Sequence, residues 1–154
     1  MPKLGGLLLM NVALSPAATV ERLGIVKDQL ILEVGFDATD CDGALRDAIV
    51  SKSGAPFFDA TAQEVVDVVI LWWREDDGDL VDELVDALTY LTEDGPIWLF
   101  TPKMGRTGYV EASDIQDAAP TAGMSVTTSF PVSANWSATR FVARHAGSNK
   151  KKSK

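Results

Sequence analysis

The sequence predicts a single α/β domain with a Rossmann-like, doubly wound, mostly parallel sheet and a C-terminal antiparallel hairpin. Three observations lead to it. Compact apolar runs recur at Gln29–Val34, Val65–Trp73 and Ile97–Pro102. The second of them lacks polar alternation apart from Asp67, which is the pattern of a strand covered on both faces. Single helical segments fall between these runs, as parallel crossover connections require. The chain then closes with two strand-like segments around a short polar turn.

The elements follow in order. QLILEV, Gln29–Val34, ends at Gly35 and reads as a buried strand. GALRDAIVSKSG, Gly43–Gly54, sets Leu45, Ala48 and Ile49 on one face and reads as a helix stopped by its last glycine. PFFD, Pro56–Asp59, is a candidate short strand. Val65–Trp73 is a β-branched run, so Trp72 and Trp73 must point to opposite faces. Core packing accounts for at least one of them, and Trp73, nearer the strand end, is the candidate to line a crevice. Asp79 is expected to cap a helix running to Leu91, with Leu80, Leu84, Val85 and Leu88 inward and Asp82, Glu83 and Asp86 outward. Gly95 and Pro96 stop it. IWLFTP, Ile97–Pro102, is the third buried strand, and KMGRTGY is a glycine-bearing loop. SDIQ, Ser113–Gln116, has the form of a capping box. MSVTTSFPV and TRFVAR form the closing hairpin around SANWSA. The three apolar strands are expected to be mutually parallel and central.

Length and charge bound the function. A chain of 154 residues suits one domain with a substantial core. A formal net charge of −8 repels nucleic-acid phosphates, so no nucleic-acid partner is expected. The single cysteine, Cys41, excludes an internal disulfide framework and suits a reducing cytoplasm. Lys3, a short apolar run and the small residues around Ser15–Ala18 mimic a weak secretory signal, but the run is too short to span a bilayer. Residues 1–19 are read as a flexible extension, 20–145 as the domain, and 146–154 as a disordered basic tail.

Tests for specific chemistry mostly fail. An EF-hand register on Gly78 puts Trp73 at the first ligand position, and one on Gly43 puts Ala38 there and Ile49 last. Zinc is no better served by one Cys and one His in the whole chain. His145 reads as a surface residue, and no serine sits in a nucleophile elbow. No metal, catalytic residue or cofactor is therefore assigned. The loop EVGFDATD, between the first strand and the first helix, is where a dinucleotide or adenosyl fingerprint would lie. It offers Gly35 alone, with the bulk of Phe36 and the charge of Asp37 beside it. Asp59 follows the candidate second strand, where an acid would hold a ribose hydroxyl. Gly35, Asp37 and Asp59 are thus the candidate cofactor-binding residues of a glycine-poor loop. Lys103 and Arg106 form the only basic cluster of the folded body, and with Trp73 and Arg74 they are the candidates for binding a partner.

Two resemblances rest on these residues. The stretch from GPIWLFTP through AGMSVTTSFPV is similar to the C-terminal half of class I S-adenosylmethionine-dependent methyltransferases, with EDGPIW and TAGMSV matching their two glycine turns. It implies a methyltransferase-like fold, although the glycine fingerprint of those enzymes is missing. The second is closer. ERLGI, LILEVGFD, VVDVVILWWREDDGDLVDELVDALTYL, IWLFTPKMGRTGYVEASDI, AAPTAGMSV and NWSATRF resemble the actinobacterial family known as domain of unknown function 3052. That likeness spans about Val20 to Arg144, leaves the first fourteen or so residues outside, and implies a small cytoplasmic protein. Together they lead to an expected non-catalytic binding or regulatory module that engages a protein partner, through the acidic helix face or the crevice edge near Gly35, Trp73 and Lys103. The alternative is an adenosyl- or nucleotide-dependent transferase with an atypical loop.

Overall fold

The computed structural model describes residues 15–59, 61 and 64–144. His145, the 146–154 tail and the first fourteen residues of the expected extension lie outside the described residues. Helix α1, Pro16–Arg22, opens the description. Residues 16–19, assigned on sequence to a flexible extension, belong to this helix. Ser15 caps it by accepting from the Ala18 N–H, Pro16 stands in the first turn, and Thr19 and Val20 are buried. Then follow β1, Ile31–Val34; α2, Gly43–Ser53; β2, Val68–Trp72; α3, Leu80–Leu88; β3, Ile97–Pro102; α4, Ala112–Thr121; β4, Met124–Pro131; and β5, Trp136–Ala143.

The five strands form one sheet in the order β1-β2-β3-β5-β4. β1, β2 and β3 are parallel, and β5 joins β3 antiparallel, with β4 outside it. The sheet is therefore the predicted mixed one, with helices on both faces. Val68, Ile70, Trp72, Trp98 and Phe100 face a core closed by Val20 of α1, Leu23 that caps it, and Leu45 and Ile49 of α2. Val69, Leu71, Ile97 and Leu99 face the other core, closed by Leu84 and Ala87 of α3 and Ile115, Ala118 and Ala119 of α4. Every residue of β2 and β3 is buried, as their unbroken apolar pattern requires.

Five local expectations are corrected. β1 is parallel as expected but terminal rather than central. Among the described residues its outer side is met only by Phe58, which bridges Leu32 through Phe58 N–H to Ile31 O and Glu33 N–H to Phe58 O, both 2.9 Å. The PFFD segment is thus a single bridge, too short to make a strand. α3 stops at Leu88, short of Leu91, because the Tyr90 carbonyl and Thr92 N–H are taken by Val66, which draws the chain into a parallel bridge. Val85, expected inward, is 45% exposed, and Ala87 takes the buried position. The SDIQ box does not open α4: the helix begins at Ala112 with Glu111 as cap, so Ser113 already lies within the first turn.

Candidate functional site

The parallel strands end together along one edge, and the loops that leave this edge converge on Arg74. The convergence begins with a close approach of two backbones. Gly35, directly after β1, has φ of 87°, a conformation that L side chains rarely adopt. A Cβ there would run into the carbonyl of Trp72 at the end of β2. The glycine that sequence reasoning weighed as a phosphate-binding turn is required here to bring the β1 and β2 ends together.

Arg74 leaves β2 and folds back over this junction. Its Nη1 donates to the Gly35 carbonyl at 3.0 Å, and its Nε and Nη2 make a bidentate pair with the Asp40 carboxylate at 2.9 and 2.7 Å. Nη2 also reaches the Cys41 sulfur at 3.0 Å, and Nη1 lies 3.3 Å from the Asp77 carboxylate. Asp77 in turn accepts the Arg74 backbone N–H at 2.9 Å. The guanidinium rests 5.4 Å from the Trp136 ring centroid, and its side chain is 15% exposed. A planar fork with several donors suits such convergent recognition, which a lysine would not reproduce. Gly108 of the KMGRTGY loop packs on the same side chain: a Cβ there would lie 3.0 Å from Arg74 Cβ and Cγ. The Gly108 carbonyl accepts from Glu75 N–H at 2.9 Å. Trp136, at the start of β5, donates its indole N–H to the Asp40 carbonyl at 2.9 Å. One arginine therefore ties together the loops after β1, β2 and β3 and the start of β5.

The electrostatics follow from this packing. The Arg74 hydrogen bonds hold the Asp40 carboxyl below the usual carboxylate range, and Arg106 adds to the field upon it. Burial pushes the Cys41 thiol up to about 11, so it is protonated at neutral pH and a poor nucleophile. Beneath the edge lies a second network. Glu33 of β1 accepts from Arg46 Nε at 2.8 and 2.9 Å and from the Trp72 indole N–H at 3.0 Å. Arg46 also stacks 4.5 Å from the Phe36 ring centroid. Burial raises the Glu33 carboxyl above its ordinary range, although Arg46 and Trp72 both pull it down.

Comparison with known proteins places this architecture. Residues 20–145 match the family described as Protein of unknown function (DUF3052). The chain belongs to the DUF3052 family. Uncharacterised proteins of Mycobacterium tuberculosis and Mycobacterium bovis are 51% identical over 121 residues, covering 79% of this chain and 75% of theirs. Among solved structures, an S-adenosylmethionine-dependent methyltransferase from Aquifex aeolicus matches with a TM-score of 0.58 and 11% identity, over 83% of this chain and 89% of that one. An O-methyltransferase from neocarzinostatin biosynthesis, solved with S-adenosyl-L-homocysteine and 1,4-dihydroxy-2-naphthoic acid, matches with a TM-score of 0.59 and 12% identity. This chain is covered over 76% of its length in that match and spans half of that enzyme. At such identities the likeness establishes a shared Rossmann-like, methyltransferase fold and no more.

In this DUF3052 chain the residues singled out on sequence part into two groups. Gly35, Arg74 and Asp37 come together on the carboxyl edge. Asp37 is occupied locally, accepting from the backbone N–H and hydroxyl of Thr39 at 2.9 and 2.7 Å. Those bonds, the hydroxyl's first, hold its carboxyl below the usual range. Asp59 makes the equivalent turn with Thr61, whose hydroxyl bond lowers it likewise. Trp73 does not face a crevice: it is 6% exposed and packs in the α3/α4 core. Arg74 is engaged within the fold, so its role is to tether loops, with little of its surface left to a partner. Lys103 is half-buried and Arg106 exposed, and between them Met104 is 77% exposed. A cleft of about 270 Å3 lies beside them, lined by Thr101, Lys103, Met104, Tyr109, Ser137 and Thr139. Sequence reasoning missed Asp40, Glu33, Arg46 and Trp136. The available signals were a charged residue inside an apolar strand at Glu33 and an arginine on the inner helix of the same crossover at Arg46. Among the described residues no group of His, Cys, Asp and Glu could hold a metal ion. No described helix is long and apolar enough to cross a membrane.

Proposed function

We propose that this protein is a non-catalytic binding or regulatory module built on a methyltransferase-like fold, and that it engages a protein partner through the loops of its carboxyl edge. One observation carries the reading: the Arg74 guanidinium sits on the Gly35 carbonyl and locks the loop after β1 to Asp40 and Cys41. In open α/β sheets, ligands bind just outside the carboxyl ends of the strands, and a nucleotide needs glycine-lined backbone to approach closely. Here that approach is closed by a side chain held by six donor contacts. The neighbouring groups offer no chemistry to replace it, since the thiol is protonated and the carboxylates are paired or turned into their own loops. The surface left open is the Lys103–Arg106 turn with exposed Met104, a basic and apolar projection on an otherwise acidic protein. Such a projection suits an acidic partner surface.

The fold likeness to methyltransferases supports the alternative, an adenosyl- or nucleotide-dependent transferase. Isothermal calorimetry with S-adenosylmethionine separates the two. The expected result is no binding in the micromolar range, where a ligand contributes about 8 kcal/mol. A saturable one-to-one complex would replace the binding-module reading with the transferase.

A further inference from the structure

A cleft lies at the amino ends of the parallel strands, the edge opposite Arg74. It encloses about 450 Å3, within the range of roughly 300–1,000 Å3 usual for small-molecule sites. Arg22 at the end of α1, Asp67 before β2, Asp94 before β3, Trp98 of β3 and Arg140 of β5 line it. Trp98 and Arg140 are register partners across the β3/β5 ladder, so their side chains leave the same face of the sheet as neighbours. Trp98 packs edge-on against Phe130 at 5.6 Å, and the Arg22 guanidinium lies 4.1 Å from the Phe130 ring centroid. Two guanidinium groups and one indole are thereby gathered on one wall.

The indole carries the decisive feature. Trp98 is 2% exposed, and its Nε1–H is buried without a hydrogen-bond partner among the described residues. Buried donors are almost always satisfied, and an orphan one bears the full desolvation of its N–H. The other two core tryptophans of this face show the usual arrangement, Trp72 donating to Glu33 and Trp136 to the Asp40 carbonyl. Trp98 alone of the three leaves its donor unpaired among the described residues, and its side chain belongs to the residues that line the cleft. The cleft walls carry both signs of charge: Arg22 and Arg140 against Asp67 and Asp94. A bare anion would meet the carboxylates and a bare cation the guanidiniums. A small molecule with both a carboxylate and an ammonium meets neither penalty, and its carboxylate supplies acceptors for the arginine fork and the indole N–H.

We infer that the amino-edge cleft is a binding site for a small zwitterion of the amino-acid type, with Arg140 and the Trp98 indole N–H receiving its carboxylate and Asp67 facing its ammonium. This site is independent of the Arg74 edge and of the partner surface at Lys103 and Arg106.

The test uses the full chain labelled with nitrogen-15. Its tryptophan indole resonances are resolved by NMR, and Trp98 is assigned by its loss in Trp98→Phe. The probes are the standard amino acids, with acetate and methylammonium as the two halves, each at up to about 10 mM, enough to populate a millimolar complex. The expected result is a saturable shift of the Trp98 indole signal with at least one amino acid, weakened tenfold or more in Arg140→Gln. That variant alters a half-exposed side chain, and an unchanged melting temperature certifies its fold. The inference is overturned if no amino acid moves the Trp98 signal, if Arg140→Gln leaves the response undiminished, or if acetate alone reproduces it at equal concentration.

Discussion

Gly35 shows how much one residue can decide here. It satisfies two demands at once, a positive φ and the space taken by the Trp72 carbonyl. Gly35→Ala should therefore lower stability by about 1–3 kcal/mol in urea unfolding, combining backbone strain with overpacking. The tryptophan pair makes a different point. Trp72 and Trp73 do lie on opposite faces, but both are buried, at 1% and 6% exposure. Each cut to alanine should cost about 3–5 kcal/mol, so the two variants should melt early to a similar degree. A small effect at Trp73 would contradict its place in the α3/α4 core. Glu33 gives a pH dependence whose sign can be worked out. Its carboxyl is raised by burial, so the folded chain holds this proton more tightly than the unfolded chain does. The stability it contributes is fully present below the ordinary glutamate value of about 4.3 and is lost as pH rises through the raised folded value. Glu33→Gln should flatten that falling component in urea melts taken from about pH 4 upward, while the glutamine oxygen still accepts from the Trp72 indole.

At the scale of the elements, the apolar runs and the caps were legible because their causes are local. Asp79 was readable as the cap of α3, and its carboxylate does accept from the Val81 and Asp82 N–H groups at 2.9 and 3.3 Å. Asp79→Ala should cost about 1 kcal/mol, seen as a lower melting temperature with the helix otherwise kept. The parts that sequence did not reveal depend on partners far along the chain. α3 stops early because Val66, more than twenty residues before Leu91, competes for the next backbone groups. Arg74 reads as a surface arginine after a strand, and nothing nearby announces that it reaches back 34 positions to Asp40. The general rule for parallel sheets points to the carboxyl edge, but the packing of Arg74 over that edge is a tertiary fact. The terminal position of β1 has a similar origin, since the adjoining segment contributes only the Phe58 bridge. Amide exchange should follow this layout, slowest in β2 and β3, which are flanked by strands on both sides, and faster along the outer side of β4.

For the whole molecule, the sheet divides the interior into two cores that share no helix, α1 and α2 serving one and α3 and α4 the other. The aromatic residues are distributed unequally between them. Trp72, Trp98 and Trp136 lie in the first core, and Trp73 alone of the four lies in the second. Trp72 and Trp136 stand edge to face with centroids 5.0 Å apart and an interplanar angle of 87°. Indoles so close and so fixed in angle couple their electronic transitions. The protein should show a strong near-ultraviolet circular dichroism signal that belongs to the α1/α2 side alone and weakens in Trp136→Phe. A version keeping only Trp73, with phenylalanine at the other three, would instead emit fluorescence from beneath α3 and α4. The two optical signals would report on opposite faces of one sheet, so following both during unfolding would show whether the layers come apart together or in turn.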